Sequence, residues 1–351
     1  MRLCLITDIH FDVRGGSQFF LDKYKQFFVQ QFFPYLKENN ITTLLIGGDT
    51  WESRKNININ SMHHAKRMFF ELLEANNIET ISILGNHDVV YKNTNEVHSM
   101  EFIEDTYSNF KTVYDTEIID FDGCKVGFVS WINKENYNDR LEFIKTADCD
   151  YLLGHFEING FEMTKGHECS DGLKDSMFIG YDEVWSGHFH IKNKIGNIRY
   201  LGNPFQTNRG DINYDRGFHV FDTETRQLEF VKNEYNIYEA INFHDNIDIS
   251  TFDFMFYANK IVIVYVHNLL EANGDLLNIF IDKLNALAYK VEVEETNSIS
   301  YENVEVDDIN VKTHTEIISD YIDNVLDDEN KKVNIKNIMI ERYNECLNDS
   351  D

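Results

Sequence analysis

The sequence predicts an α/β protein in which parallel strands alternate with helices. Three apolar runs, residues 2–7, 42–47 and 79–84, have the length and composition of buried parallel strands. The segments between them, residues 17–40 and 61–77, repeat apolar side chains at helical spacing. This order of strand, helix, strand, helix and strand is typical of layered α/β folds with a parallel sheet.

The pattern continues less regularly toward the C-terminus. Pro34 is expected to kink or split the first helix, because proline lacks the N–H that a helix interior requires. A helix is predicted at residues 138–147, and residues 156–182 are rich in loop-forming side chains. The remaining strand-like runs lie at 118–121, 125–131, 151–155, 183–186, 198–202, 217–222 and 227–231.

Three successive regions are predicted from changes in composition. They are a main domain at 1–235, a small capping domain at 236–298, and an acidic linker with two amphipathic helices at 299–351. The small domain is predicted to contain a strand at 260–267, a helix at 274–288 and a strand at 289–294. The apolar faces of the two terminal helices either dock on the main domain or bind another protein.

Composition limits the classes of protein to which this chain can belong. Its 351 residues are 42% hydrophobic, which is enough for a folded core. The formal net charge of −28 opposes binding to nucleic acid unless metal ions or a basic partner offset it. Five scattered cysteines predict a reducing, cytoplasmic location. No signal peptide and no apolar run long enough to cross a bilayer is recognisable, so no membrane partner is expected.

Residues of metal-ligating type follow five of the predicted strand ends or loops. Carboxylates, imidazoles and one amide oxygen, with no thiolate, suit manganese, iron or zinc better than magnesium alone. Because ligands of open α/β sheets collect at the carboxyl ends of the strands, we expect these side chains to converge. The five segments are Asp8-x-His10, Gly48-Asp49, Gly85-Asn86-His87-Asp88, Gly154-His155 and Gly187-His188-Phe189-His190.

We expect these side chains to hold two divalent ions, with Asp49 as the bridging ligand. Such a pair of ions binds a phosphate oxygen and acidifies a water nucleophile. Asp8, His10 and His190 are predicted to hold one ion. Asn86, His155 and His188 are predicted to hold the other.

Four neighbouring residues have candidate roles in the chemistry. His87 is predicted to donate a proton to the leaving group or to stabilise its charge. Asp88 either orients His87 or caps the following turn. Arg54 and Lys55 either contact a substrate phosphate or belong to a solvated loop.

The ordered motifs resemble the calcineurin-like metallophosphoesterase superfamily. The finer resemblance is to its SbcD-type nuclease subunits, the catalytic half of double-strand-break processing complexes, and within them to the phage recombination nuclease subunits. It covers about residues 1–235. Its most specific parts are the phrases at 154–161 and 183–190, to which 199–204 and 215–218 add.

This resemblance implies a fold of two stacked mixed sheets flanked by helices. It also implies two Mn²⁺ ions, although the residues leave Mg²⁺, iron and zinc open. The implied activities are 3′→5′ exonuclease action on duplex DNA and endonuclease action on single strands. The implied partners are DNA, a second copy of the chain bound through the early helices, and a coiled-coil ATPase of the SbcC type bound through the terminal helices.

One position departs from the pattern of the family. Many cellular relatives place a second catalytic histidine three residues after the bridging aspartate, and here that position is Glu52. Two other functions are compatible with the motifs. One is a phosphatase or small-molecule phosphodiesterase of the same superfamily, and the other is an inactive scaffold for the ATPase.

Overall fold

The computed structural model describes residues 1–164, 166–267 and 272–296, together with residue 332. The strands form two six-stranded sheets, one three-stranded sheet and one short hairpin. In chain order the strands are β1 Arg2–Ile6, β2 Thr43–Ile46, β3 Glu79–Ile83, β4 Phe110–Val113, β5 Thr116–Phe121, β6 Cys124–Val129, β7 Tyr151–His155, β8 Glu162–Thr164, β9 His167–Glu168, β10 Glu183–Gly187, β11 Asn193–Ile195, β12 Ile198–Tyr200, β13 Gly217–Asp222, β14 Gln227–Lys232, β15 Tyr238–Phe243, β16 Ile261–Val266 and β17 Lys290–Glu295.

Five helices connect strands of the first sheet, and two connect strands of the other sheets. The five are α1 Gln18–Phe27, α2 Phe33–Glu38, α3 Ile59–Ala65, α4 Glu71–Ala75 and α5 Glu101–Glu104, preceded by an irregular helical turn at Val13–Gly16. The two are α6 Tyr137–Thr146 in the second sheet and α7 Gly274–Asn285 in the small sheet. Short 3-10 turns occupy Asp175–Phe178, Arg209–Asp211 and Phe254–Tyr257.

Both large sheets are mixed. The first has the order β14-β13-β1-β2-β3-β4, in which β1 to β4 are parallel, β13 runs antiparallel to β1, and β14 runs antiparallel to β13. The second has the order β11-β12-β10-β7-β6-β5, with four parallel strands in the middle and an antiparallel strand at each edge. The parallel α/β arrangement predicted from the first 84 residues is therefore confirmed for β1 to β3.

The two sheets stack face to face, and side chains alternate between two cores. Leu3 and Leu5 of β1 point into the core between the sheets, where they meet Trp185 of the second sheet. Cys4 and Ile6 point the other way, into the core under α1 to α4. A third core lies on the outer face of the second sheet, under α6. This four-layer sandwich is the fold that the resemblance implies.

Each of the first two long helices contains a π turn. The N–H of Phe33 donates to the carbonyl of Phe28, five residues back, directly before Pro34. The split expected at Pro34 thus takes the form of a π turn at Phe28–Phe32, followed by a new helix in which proline occupies the first turn. The second π turn, Lys66–Phe70, packs against the first, and the Phe28 and Phe69 rings lie 4.8 Å apart.

A small parallel sheet follows the two large ones. Its order is β15-β16-β17, and α7 covers one face with Phe280 and Leu284 against Val262 and Val264. The predicted strand, helix and strand are confirmed, and β15 is an additional strand that the sequence did not single out. The domain boundaries at 235 and 298 stay predictions.

The acidic linker and the two amphipathic helices predicted within 299–351 lie outside the described residues, apart from Lys332. Within the described part of the chain, no helix combines the length and the apolar character that crossing a bilayer requires.

Candidate metal centre

The predicted ligands converge at one edge of the sandwich, where strands of both sheets end. Asp8 and His10 follow β1, Asp49 follows β2, and Asn86 follows β3. From the second sheet, His155 is the last residue of β7, while His188 and His190 follow β10. Residues that are about 180 positions apart in the chain therefore become neighbours, because the carboxyl ends of both sets of strands meet here.

Asp8, His10 and His190 form what we call the first donor group. The Nε2 atoms of His10 and His190 lie 3.1 Å apart. Oδ1 of Asp8 lies 4.0 Å from Nε2 of His10 and 3.8 Å from Nε2 of His190. These are donor-to-donor separations at which three atoms can share one cation.

Asn86, His155 and His188 form the second donor group. Oδ1 of Asn86 lies 3.2 Å from Nε2 of His155 and 2.9 Å from Nδ1 of His188. Oδ2 of Asp49 lies 3.3 Å from Nε2 of His155 and 3.8 Å from Nε2 of His10. Asp49 therefore reaches both donor groups with one carboxylate oxygen, which is the geometry expected of a bridging ligand.

The backbone is strained at these positions. Asp8, His10, Asp49 and His188 all adopt positive φ, at 53°, 50°, 52° and 87°. Such conformations are uncommon outside glycine and concentrate at functional sites, where the surrounding structure holds them in place. Strain at four of the seven predicted ligands marks this edge as the functional part of the molecule.

Two glycines allow the loops to approach closely. Gly48 has a φ of +92°, and a Cβ there would lie 2.7 Å from both the backbone N of Gly85 and Nδ1 of His155. A Cβ on Gly85 would lie only 2.1 Å from Oδ1 of Asp49. Any other residue at either position would displace the bridging carboxylate or the loop that carries it.

The hydrogen bonds of His155 select the tautomer that can bind a cation. Nδ1 of His155 lies 2.8 Å from the carbonyl oxygen of Gly47, which can only accept, so this nitrogen carries a proton. The lone pair of Nε2 then faces two acceptor oxygens, from Asp49 and Asn86. An acceptor nitrogen surrounded by acceptor oxygens requires a positive charge between them, as a proton or a metal ion.

The pKa values of two buried histidines also indicate that the site favours positive charge. Burial disfavours a charged ring, yet the contact with Glu52 and the charges of Asp49 and Asp8 raise the pKa of His10 to about 9. Burial likewise opposes the charge on His155, but Asp49 and Asp8 raise its pKa to about 9. The cluster therefore retains positive charge among its carboxylates, which is the role that divalent ions would fill.

His87 lies beside the first donor group. Its backbone N–H donates to Oδ1 of Asp49 at 2.8 Å, and its Nδ1 hydrogen-bonds the backbone carbonyl of Glu52. Its ring stands edge-on to that of His10, with centroids 5.1 Å apart. His87 is thus next to the predicted ligands without being needed to complete either donor group.

The interpretation of Asp88 as the residue that orients His87 stays a prediction, and the hydrogen bonds of its carboxylate are made to other residues. Asp88 is fully buried, and its carboxylate accepts hydrogen bonds from the backbone N–H groups of four residues instead. These donors are Asp49 at 2.8 Å, Gly85 at 2.9 Å, Thr50 at 3.0 Å and Trp51 at 3.4 Å. Asp88 ties the loop that carries the bridging aspartate to the loop that carries Asn86, and its side chain is buried away from solvent.

Glu52 occupies the position at which the sequence departs from cellular relatives. Its Oε2 lies 2.8 Å from Nδ1 of His10, on the side of the ring that faces away from the donor group. Glu52 therefore supports two histidines, His10 through its carboxylate and His87 through its carbonyl. The sequence alone did not reveal this role, because it depends on the fold of the loop after β2.

Two supporting residues were missed altogether. Oε1 of Glu157 lies 3.1 Å from Nε2 of His188. Arg216 is buried, hydrogen-bonds the carbonyl of His190, and pairs with Asp211 at 2.6 Å. Both lie in segments that carry the family resemblance, 154–161 and 215–218, but neither was assigned a role from the sequence, because the histidines that they contact are distant in the chain.

The two basic residues proposed for substrate contact lie outside the cluster. Arg54 is partly exposed, and one of its guanidinium nitrogens is buried without a hydrogen-bond partner in the described part of the chain. Lys55 is exposed. Neither belongs to a donor group, so their contact with substrate stays a prediction.

Comparison with known proteins decides the family. The sequence profile of the calcineurin-like phosphoesterases matches residues 1–192, more than half of the chain. The chain belongs to the calcineurin-like phosphoesterase family. Family membership implies divalent metal ions and confirms the prediction of a metal-dependent phosphoesterase. The curated protein exonuclease subunit 1 of Enterobacteria phage T4 is 32% identical over 299 residues, which cover 85% of this chain and 86% of that protein.

Similarity to solved structures is more distant. An archaeal phosphodiesterase is 13% identical, with a TM-score of 0.35, and the match covers 66% of this chain and 99% of that one. GAP50, described as the anchor in the inner membrane complex of Plasmodium, is 12% identical, with a TM-score of 0.39 and coverage of 67% and 85%.

Proposed function

We propose that this phosphoesterase is a DNA nuclease subunit that hydrolyses phosphodiester bonds with two Mn²⁺ ions. The observation that carries this proposal is the convergence of two donor groups on one oxygen of Asp49. The similarity to a phage exonuclease subunit over most of both chains supports DNA as the substrate.

In this proposal the seven predicted ligands divide as the two donor groups with Asp49 between them. When bound there, divalent ions neutralise the charge of a phosphate diester and acidify a water molecule. The protein holds the ligands rigid and mostly dry, since Asp8, Asp49 and His155 are almost fully buried. Rigid, desolvated ligands need no reorganisation when charge develops on the phosphate.

His87 donates a proton to the oxygen of the leaving group. A backbone carbonyl can only accept a hydrogen bond, so Nδ1 of His87 carries a proton that Glu52 holds in place. Nε2 is left to donate a proton to the departing oxygen when the ring is in its charged form. The ring is partly exposed, so a substrate can reach it.

Several finer features are part of the same proposal. They are 3′→5′ exonuclease action on duplex DNA, endonuclease action on single strands, homodimerisation, and assembly in the cytoplasm with an SbcC-type ATPase through the region 299–351. The phage T4 relative is named as a subunit, which supports a multi-protein complex. A basic partner would also offset the net charge of −28 that opposes DNA binding by this chain alone.

The test compares the wild-type protein with Asp49→Asn on linear duplex DNA in the presence of Mn²⁺. Asp120→Asn, at an exposed aspartate near the end of β5 that accepts from the N–H of Gly123, is the matched control. We expect wild type and control to cleave equally, and Asp49→Asn to lose roughly 1,000-fold in rate because it removes the shared charged ligand. Metal analysis should find two ions per wild-type chain and fewer in Asp49→Asn.

Three outcomes would contradict the proposal. Equal cleavage by Asp49→Asn would remove the bridging role. Turnover of a small phosphate ester without cleavage of DNA, even with the ATPase present, would identify a small-molecule phosphodiesterase. A purified wild-type protein that binds no divalent metal would identify an inactive scaffold.

A further inference from the structure

A small cavity opens beside the second donor group. Its volume is about 140 Å³, and His155 contributes to its lining. Its other side chains are mainly aromatic or aliphatic, with two carboxylates among them. They are Trp131, Ile132, Tyr137, Phe156, Leu173, Glu157 and Asp171.

Trp131 is fixed in place by its backbone. Its N–H donates to the carbonyl of Leu84 at 2.8 Å. Its own carbonyl accepts from Nδ2 of Asn95 at 2.9 Å and from Nδ2 of Asn136 at 3.1 Å. These three hydrogen bonds fix the backbone of Trp131, and a fixed backbone is the first requirement for presenting a side chain at a defined position in a binding site.

The indole ring of Trp131 lies against the second donor group. Its centroid is 5.4 Å from the ring of His188 and 5.9 Å from the ring of His155. Trp131 is partly exposed, whereas Trp51 and Trp185 are fully buried. In the described part of the chain, no group accepts a hydrogen bond from the indole N–H of Trp131. Because the ring is partly exposed and lines the cavity together with His155, a ligand placed next to His155 can reach it.

The chemistry of the cavity suits a flat heterocycle and excludes a phosphate. Protein cavities of roughly 150 Å³ hold a single aromatic ring. Aromatic walls bind any nucleobase by stacking, since every base has a π face. The carboxylates of Glu157 and Asp171 repel phosphate but accept hydrogen bonds from base amino groups.

On the other side of the centre lies a wider cavity of about 550 Å³, lined by His188, His190 and Tyr214. Glu157 borders both cavities. A phosphate at the metal centre would thus have a ring-sized cavity on one side and room for a longer stretch of strand on the other.

We propose that the small cavity binds the nucleobase of a nucleotide adjoining the scissile phosphate, stacked on Trp131. This inference rests on the proposed nuclease function and adds a subsite for a base beside the metal centre. It also explains how a strongly acidic protein holds DNA near its metal ions, because stacking does not depend on charge.

The experiment measures a double-mutant cycle between Trp131 and the base. Wild type and Trp131→Ala are compared on a single-stranded oligonucleotide with Mn²⁺, and on versions with one abasic nucleotide at the terminal or penultimate position. We expect Trp131→Ala to raise KM for the intact strand roughly 10-fold. We expect one abasic position to raise KM similarly for wild type and to have no further effect in Trp131→Ala.

Two variants act as controls. Trp131→Phe keeps an aromatic face and should restore most of the lost affinity. Phe102→Ala, which removes an exposed aromatic ring from α5, should leave KM unchanged. As a readout without turnover, the oligonucleotide in Ca²⁺ should quench the tryptophan fluorescence of wild type but not that of Trp131→Phe.

The outcomes separate this inference from the function on which it rests. If wild type cleaves no DNA, the nuclease proposal fails and this subsite fails with it. If wild type cleaves DNA but base removal costs the same in wild type and in Trp131→Ala at both positions, only the subsite is overturned. An equal loss of kcat on all three strands would assign Trp131 to the packing of His155 and His188 alone.

Discussion

The two donor groups of the centre are supported in different ways. The first group relies on charged side chains: Glu52 contacts Nδ1 of His10 at 2.8 Å, and buried Arg216 hydrogen-bonds the carbonyl of His190. The second group relies mostly on neutral groups. Nδ1 of His155 meets the carbonyl of Gly47 at 2.8 Å, and Trp131 packs against the ring.

The segment that follows His155 continues this neutral pattern. The hydroxyl of Tyr200 donates to the carbonyl of Phe156 at 2.8 Å and accepts from the N–H of Ile158 at 3.1 Å. Oγ of Ser186 accepts from the N–H of Phe156 at 3.0 Å. The exception in the second group is Glu157 on His188, and its side chain is 53% exposed.

The difference teaches where the centre is most vulnerable. A buried charge is stable only while its partner is present, so removing one partner leaves a large desolvation penalty. A neutral hydrogen bond leaves a smaller penalty when it is lost. Substitutions behind the first donor group should therefore be the more damaging ones.

The largest effect is expected for Arg216→Met. Arg216 is 3% exposed and pairs with Asp211, whose other oxygen accepts from the backbone N–H groups of Thr207 and Asn208. Loss of the arginine leaves Asp211 as a buried unpaired charge, which costs about 3–5 kcal/mol of unfolding free energy. Urea denaturation followed by circular dichroism measures the change.

Arg226→Met is the control for that loss. Arg226 pairs with Asp150 at 3.4 Å on the surface, so its removal should cost less than about 1 kcal/mol. If Arg216→Met and Arg226→Met lost similar amounts of unfolding free energy, the buried pair of Arg216 and Asp211 would be no more important to stability than an exposed pair.

The next effect concerns metal affinity. Glu52→Gln keeps a hydrogen-bond acceptor beside His10 but removes the charge, which should weaken Mn²⁺ binding about 10- to 100-fold. Glu157→Gln makes the same change beside His188. The two glutamates are similarly exposed, at 42% and 53%, but the His188 ring is 17% exposed against 2% for His10, so solvent screens the second pair more and a loss below about 10-fold is expected. Calorimetric titration of the metal-free proteins with Mn²⁺ measures the affinity of each variant. An equal loss in both variants, or a larger loss in Glu157→Gln, would contradict the difference between the two donor groups.

The smallest effect is expected for Tyr200→Phe. The change removes a neutral hydroxyl that is buried and leaves two backbone groups of the second donor group's loop unpaired. This should cost about 1–2 kcal/mol of unfolding free energy with metal affinity almost unchanged. Tyr235→Phe, whose hydroxyl contacts Gln30 at an exposed site, should be neutral in the same urea titration. A fall in metal affinity as large as that of Glu52→Gln would contradict the distinction.

The sequence predicted the ligand set because each ligand is marked by its own neighbourhood. Asp49, for example, ends an apolar run and follows two glycines, and His155 follows a glycine at the end of another run. Such signals depend on strand periodicity and on the conformational freedom of glycine, and both can be seen within a few residues.

The roles of Asp88, Glu52 and Trp131 could not be predicted in this way. Asp88 reaches Asp49, which lies 39 positions earlier in the chain, and Trp131 meets His155 and His188 only because β6, β7 and β10 are neighbours in one sheet. Which N–H groups donate to a buried carboxylate depends on loop geometry, which leaves no periodic mark in the sequence.

By itself, then, the sequence determined most of the order of strands and helices and the candidate metal-binding side chains, since both depend on local patterns. The tertiary structure alone decided that the two sheets stack with their strand ends together, which brings Asn86 within 2.9 Å of His188 across 102 positions of chain. It also decided which side of each imidazole carries a proton, because that depends on the acceptor that the fold places behind the ring.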